Sequence, residues 1–155
     1  MMEKAIFFSG YGTSYFYKND SLVKRNLELF PETLPALRFL SRRGYLLVLT
    51  APEMQEYKAF QSCLKDKRIT VQYWNGREED VDALIEKHFL NIQECFFITD
   101  GHYLQEYLPL GWQTILVLTG KGVSTLDILD PPQLEQIYDI CKDIYAAAIS
   151  IAIHK

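Results

Sequence analysis

Ser9, Tyr11 and Thr13 stand at alternate positions just past the apolar run Ala5-Ile6-Phe7-Phe8, around a Gly10-Tyr11-Gly12 turn. Thr50 closes a second apolar run, Leu46 to Leu49, and Asp100 follows a third, Phe96 to Ile98 with Thr99. Hydroxyls and a carboxylate that converge near the amides of a Gly-x-Gly turn can hold a phosphate or another small anion. Asp100 alone has two further uses: a ligand for a hard cation, or the N-cap of a helix starting just after it.

A parallel sheet is what brings such distant positions together. Buried parallel strands read as short continuous apolar runs, and they deliver their last residues to a cleft at the sheet's carboxyl edge. The pattern predicts strands at Lys4–Phe8, Tyr45–Leu49, Ile69–Trp74, Cys95–Ile98 and Gln113–Leu118, with Ile137–Cys141 as an edge strand. Between them fall helices. One opens at Pro31 and stops at Gly44, with cations and glycine at its end. A second follows Pro52, presenting Met54, Tyr57, Phe60 and Leu64 on one face. A third runs from Asp80 to Phe89 with Val81, Leu84, Ile85 and Phe89 inward, and a short one spans Tyr103–Leu108. The last covers Asp143 to Ile153, capped by Asp143. Tyr11 to about Phe30 reads as a long loop with turn residues Asn19-Asp20-Ser21, and long loops in compact domains are often functional. Past the Thr119-Gly120-Lys121-Gly122 turn no element is legible until Ile137. The alternation predicts one domain over residues 1–155: a doubly wound α/β parallel sheet with helices on both faces.

Composition narrows the function classes. Hydrophobic residues make up 48% and charged residues 23% of the 155, as in an ordinary soluble globule. The net charge is -4, from 16 basic and 20 acidic residues without a basic block, which disfavours nucleic acid as a partner. No stretch approaches the roughly 18 apolar residues of a membrane span, and the apolar run after Lys4 is too short for a signal peptide. Cys63, Cys95 and Cys141 are scattered and odd in number, matching neither a disulfide framework nor zinc spacing. They read as reduced core residues of a cytoplasmic protein.

Four stretches together resemble the haloacid-dehalogenase-like (HAD) superfamily, in its small capless histidinol-phosphatase and D,D-heptose 1,7-bisphosphate phosphatase branch. They are Ala5–Thr13, Leu46–Thr50, Phe96–Asp100 and Gly111–Gly122, in the family's order and at compatible spacing. The resemblance implies a three-layer Rossmann-like HAD fold without a cap domain, and a phosphomonoesterase that uses Mg²⁺ and an aspartyl-phosphate. It also implies aspartates at two positions of the first motif, a nucleophile and a general acid/base. Ser9 and Tyr11 occupy those positions here. The fourth motif, usually doubly acidic, keeps only Asp100, followed by Gly101, His102 and Tyr103. Arg77 is the nearest counterpart of the third-motif lysine, and the Cys/His zinc loop of part of the branch is absent.

These departures have chemical consequences. An acyl phosphate is labile, whereas phosphoserine is a stable ester, so Ser9 in the nucleophile's place gives at best a dead end. Phenols titrate at about 10, so tyrosine donates a proton at neutral pH but accepts one poorly. With one carboxylate left, Mg²⁺ loses its strongest ligands, and phosphoryl transfer loses its main electrostatic support. Three readings follow. The first is a non-catalytic binding or structural protein on a HAD fold. The second is an atypical or Mg²⁺-dependent phosphomonoesterase for a small phosphorylated metabolite. In it, Ser9, Gly10, Thr13, Thr50 and Arg77 would hold the anion and Asp100 a metal. The third is an interaction module or homo-oligomer that docks through the aromatic loop Tyr11–Tyr17, since exposed tyrosines are enriched at interfaces. Thr50 as a turn cap, Asp100 as a helix cap, His102 as a solvated loop residue and Lys121 as a fold marker are the structural alternatives.

Overall fold

A computed structural model describes residues 3–18, 26–64 and 68–154 of the chain. Six strands form one sheet: β1 (Ala5–Ser9), β4 (Leu46–Thr50), β5 (Val71–Trp74), β6 (Phe96–Thr99), β7 (Gln113–Val117) and β8 (Ile137–Cys141). Every neighbouring pair in it is parallel, in the order β5-β4-β1-β6-β7-β8. The chain winds outward from β1 through β4 to β5, then returns to β6 and winds the other way. The reversal leaves a crevice beside the carboxyl ends of β1, β4 and β6, where open α/β sheets place their ligands.

Strand periodicity sorts the core into two layers. Ile6, Phe8, Leu47, Leu49 and Ile98 face one side, where they meet Ala36, Leu37 and Leu40 of α1 (Thr33–Arg42), Phe60 of α2 (Met54–Cys63), and Ala147 and Ile151 of α7 (Ile144–His154). Ala5, Phe7, Val48 and Phe97 face the other side, which is aromatic. There Phe7 meets Trp112 edge-on at 5.1 Å and Trp74 at 5.6 Å, while the two indoles stack at 5.9 Å. Val81 of α3 (Glu78–His88) and Tyr107 of α4 (Leu104–Tyr107) close that layer. The Asp143 carboxylate accepts from the Ala146 amide at 2.8 Å, which is the expected cap of α7.

Several expectations need correction. The long loop contains an antiparallel hairpin, β2 (Tyr15–Lys18) with β3 (Asn26–Leu29), in register Tyr15↔Leu29 and Tyr17↔Leu27; residues 19–25 of it lie outside the described residues. Four-residue strands give too few periods to stand out from a loop rich in aromatic and turn residues. Between Gly120 and Ile137 the chain forms α5 (Gly122–Ile128) and α6 (Pro131–Gln136). α6 carries a capping box between Asp130 and Gln133, a start signal masked by the two prolines beside it. Phe89 is not inward: it ends α3 with φ +54° and is 64% exposed. On α2 only Phe60 is buried, and Met54 lies in solvent. Among the described residues no helix is long and apolar enough to cross a membrane, and the cysteines are free thiols, of which only Cys95 is fully buried.

Candidate functional site

The register of the sheet sets the site. Ser9 pairs with Thr50 across β1 and β4, while Phe8 pairs with Ile98, so Ser9 sits beside Thr99 at the end of β6. All of these residues, with Thr13 and Asp100, are buried. Ser9 Oγ lies 2.6 Å from Thr13 Oγ1 and donates to Thr99 Oγ1 at 3.1 Å. Thr99 in turn donates to the His102 carbonyl at 2.7 Å. Thr13 Oγ1 donates to Asp100 Oδ1 at 3.4 Å. Each hydroxyl has one proton, and the protons of Ser9, Thr13 and Thr99 all end on protein acceptors: a neighbouring hydroxyl, the Asp100 carboxylate or the His102 carbonyl.

Asp100 is the second node. Its Oδ1 lies 2.7 Å from His102 Nδ1, and its Oδ2 accepts from the Lys121 amide at 3.0 Å. A carboxylate only accepts, so Nδ1 carries the imidazole proton. The Asp100 amide donates to Thr13 Oγ1 at 2.9 Å, and its carbonyl accepts from Thr125 Oγ1 at 2.9 Å. Gly12 has φ +88° and Gly120 has φ +54°, and a β-carbon on either would run into the Asp100 carboxylate. Only glycine permits both the backbone angle and the approach. Asp100 is therefore not the N-cap of α4, a place that Tyr103 holds. It ties the β1, β6 and β7 loops together.

Four amides around the first turn are engaged as well. Gly10 donates to the Thr50 carbonyl at 3.1 Å, Gly12 to Tyr15 at 2.8 Å, and Thr13 and Ser14 to Gly10 at 3.0 and 2.9 Å.

On the β4 side the picture changes. A cavity of about 520 Å³ opens there, walled by Tyr11, Tyr17, Thr50, Glu56, His102 and Tyr103. Tyr11, 50% exposed, stacks on Tyr17 with centroids 5.3 Å apart. These rings line the opening and leave it unfilled. Glu56, in the first turn of α2, accepts from the Tyr15 hydroxyl at 3.1 Å and from Tyr17 at 2.9 Å. Burial, followed by the Glu56 charge, pushes the Tyr15 phenol far above its ordinary range and the Tyr103 phenol up to about 12. The Thr50 hydroxyl is buried without a hydrogen-bond partner among the described residues, so it does not cap a turn. A smaller cavity of about 400 Å³ lies beyond Tyr11 and His102, bounded by Asp100, Gly120 and Lys121.

Ser9, Gly10, Tyr11, Thr13, Thr50 and Asp100 thus gather at one sheet edge. Arg77 is exposed at the start of α3 and lines neither cavity. Glu56, Thr99 and Tyr103 belong to the site without having been singled out in the sequence. Glu56 was findable, because the first turn of a helix that follows a strand lies at the sheet's carboxyl edge. Among the described residues no group of three or more His, Cys, Asp or Glu side chains is placed to hold a metal ion.

The winding of the sheet and the position of the crevice decide the fold. It is the HAD-like phosphatase fold. A crystal structure of D,D-heptose 1,7-bisphosphate phosphatase from B. bronchiseptica, complexed with magnesium and phosphate, aligns over 99% of this chain and 100% of that one with a TM-score of 0.74 at 17% identity. The corresponding enzyme from Burkholderia thailandensis aligns over 97% and 99% with a TM-score of 0.71 at 18% identity. A HAD-like phosphatase from Mesorhizobium loti aligns over 97% and 88% with a TM-score of 0.60 at 15% identity. No protein-family model matches the sequence, and no curated protein matches it. The HAD fold here carries no inserted cap among the described residues.

Proposed function

We propose that this HAD-fold chain is a binding protein that does not turn over phosphate esters by the aspartyl-phosphate route. The observation that carries this reading is the state of Ser9. Its hydroxyl, at the end of β1, is buried and is hydrogen-bonded to both Thr13 and Thr99. Among the described residues its hydroxyl partners are Thr13 and Thr99, neither of them a base to draw the proton off, and nucleophilic hydroxyls depend on such a base.

The donor set does not fit magnesium. Mg²⁺ wants octahedral oxygen ligands, usually carboxylates with substrate phosphate. Here the carboxylate nearest the β1 end is Asp100, which is buried: its Oδ1 takes donors from Thr13 and from the His102 amide and imidazole, and its Oδ2 takes the Lys121 amide with the Gly12 and Gly120 backbone packed against it. The remaining function of such a crevice is recognition, and the Thr50–Glu56 cavity is the part of it with polar atoms still available.

The test is a panel of phosphate monoesters assayed with Mg²⁺. The expected result is no release of phosphate above the uncatalysed control. Metal-dependent turnover that Asp100→Asn abolishes would overturn the reading in favour of a working phosphomonoesterase.

A further inference from the structure

The cavity beside Thr50 has its own recognition chemistry. Its volume, about 520 Å³, falls in the range of small-molecule sites. Its polar atoms are few and specific. Glu56 accepts one phenol on each carboxylate oxygen, from Tyr15 and Tyr17. A carboxylate has about four lone-pair positions, so two remain for a ligand. Thr50, which borders the cavity, has a buried hydroxyl without a hydrogen-bond partner among the described residues. The other walls include the rings of Tyr11, Tyr17 and Tyr103, whose faces carry negative potential, together with His102, Ala51 and Pro52. An anion would need donors instead, yet the neighbouring amides of Gly10, Gly12, Thr13 and Ser14 all donate to backbone carbonyls.

We infer that this cavity binds a small primary ammonium compound with an aromatic or apolar body, the ammonium donating to Glu56 and Thr50 and the body lying against the tyrosines. A primary ammonium is a three-donor group without acceptors, which suits two acceptors and a ring of π faces. Lys18 also borders the cavity and carries the opposite charge. It is exposed, and water and salt screen its charge more than that of half-buried Glu56. Burial first, and the Glu56 charge second, raises the Tyr15 and Tyr103 phenols, so Glu56 contributes a negative field at the cavity. The inference rests on the reading of the chain as a binding protein and specifies its ligand class.

The experiment is calorimetric titration of the whole chain with four probes: 2-phenylethylammonium, its neutral isostere 2-phenylethanol, 3-phenylpropionate and inorganic phosphate. The ammonium should bind saturably, one per chain, and about tenfold or more tightly than the alcohol, since hydrogen bonds to a charged group are worth that much. Glu56→Gln should weaken it about tenfold, and Thr50→Val, which disturbs no other hydrogen bond, about threefold. Tighter binding of the carboxylate or phosphate would overturn the inference. So would absence of ammonium binding, or Glu56→Gln and Thr50→Val proteins that bind it unchanged. Phosphatase turnover would sink the binding-protein reading, whereas these titrations read the ligand class, so either can fail without the other.

Discussion

The two sides of the β1 strand end hold similar residue types and use them in opposite ways. Toward β6, Ser9, Thr13, Thr99 and Asp100 form a network in which each hydroxyl and both carboxylate oxygens have protein partners. Toward β4, Thr50 has no hydrogen-bond partner among the described residues, Glu56 takes a single phenol on each oxygen, and both border a cavity lined by Tyr11 and Tyr103. A polar network satisfied from within rigidifies a fold, whereas a buried polar atom left unpaired carries a penalty that a ligand can relieve. The closed side is thus structure and the open side is recognition. A catalytic phosphatase would need the reverse, with free groups at the end of β1.

The strongest way to break the comparison is to open the closed side. Asp100→Ala removes the acceptor of the His102 imidazole and of the Lys121 amide at a buried position. The expected loss is about 3 kcal/mol of folding stability, because donors left unsatisfied cost more than a hydrogen bond gains. Asp100→Asn should lose about half of that, keeping one acceptor oxygen. Urea denaturation measures both. A loss under about 1 kcal/mol for the alanine variant would mean that Asp100 does not hold the three loops together.

The same contrast explains what could be read from the sequence. The sheet was legible because β1, β4, β6 and β7 are buried on both faces, so each is an unbroken apolar run with a polar stop. The stops located Ser9, Thr50 and Asp100 within a residue of the strand ends. What stayed hidden was anything set by tertiary contact. Nothing in Thr50 or Ser9 announces that one hydroxyl is orphaned and the other saturated; that follows from which strand lies alongside. Tyr15 and Tyr11 look alike in the sequence, yet Tyr15 is wholly buried in the core and donates to Glu56, while Tyr11 stands half in solvent. The β2–β3 hairpin was illegible because its pairing, not its period, defines it.

Alkaline titration sharpens the open side. Tyr103 and Tyr107 are each pushed up to about 12, chiefly by burial, and Tyr15 further still. The folded chain therefore holds these protons after the unfolded chain, with phenols near 10, has released them. Their contribution to stability is complete below about pH 10 and declines as pH rises through about 12. Ultraviolet absorbance of phenolate should show a late group of tyrosines, and stability followed by circular dichroism should fall across the same window. In Glu56→Gln, Tyr15 and Tyr103 should titrate earlier. Tyr107, whose charged neighbours are Glu106, Glu78 and Glu79, should not move. Equal movement of all three would mean that Glu56 does not set the field of the cavity.

The smallest effect is the most discriminating. Thr50 and Ser9 are register partners, both buried, and each carries one hydroxyl. Ser9→Ala removes a hydroxyl bonded to both Thr13 and Thr99 and should cost about 1–2 kcal/mol. Thr50→Val keeps shape and β-branching at the end of β4 and removes a hydroxyl with no partner among the described residues. Its effect should lie within about 1 kcal/mol of zero, on the stabilising side, because an unpaired buried hydroxyl costs the folded state. Paired urea titrations of the two variants without ligand give the difference directly. A Thr50→Val loss equal to that of Ser9→Ala would show that the hydroxyl is satisfied in the free protein. The β4 side would then be as closed as the β6 side, with no acceptor left waiting for a ligand.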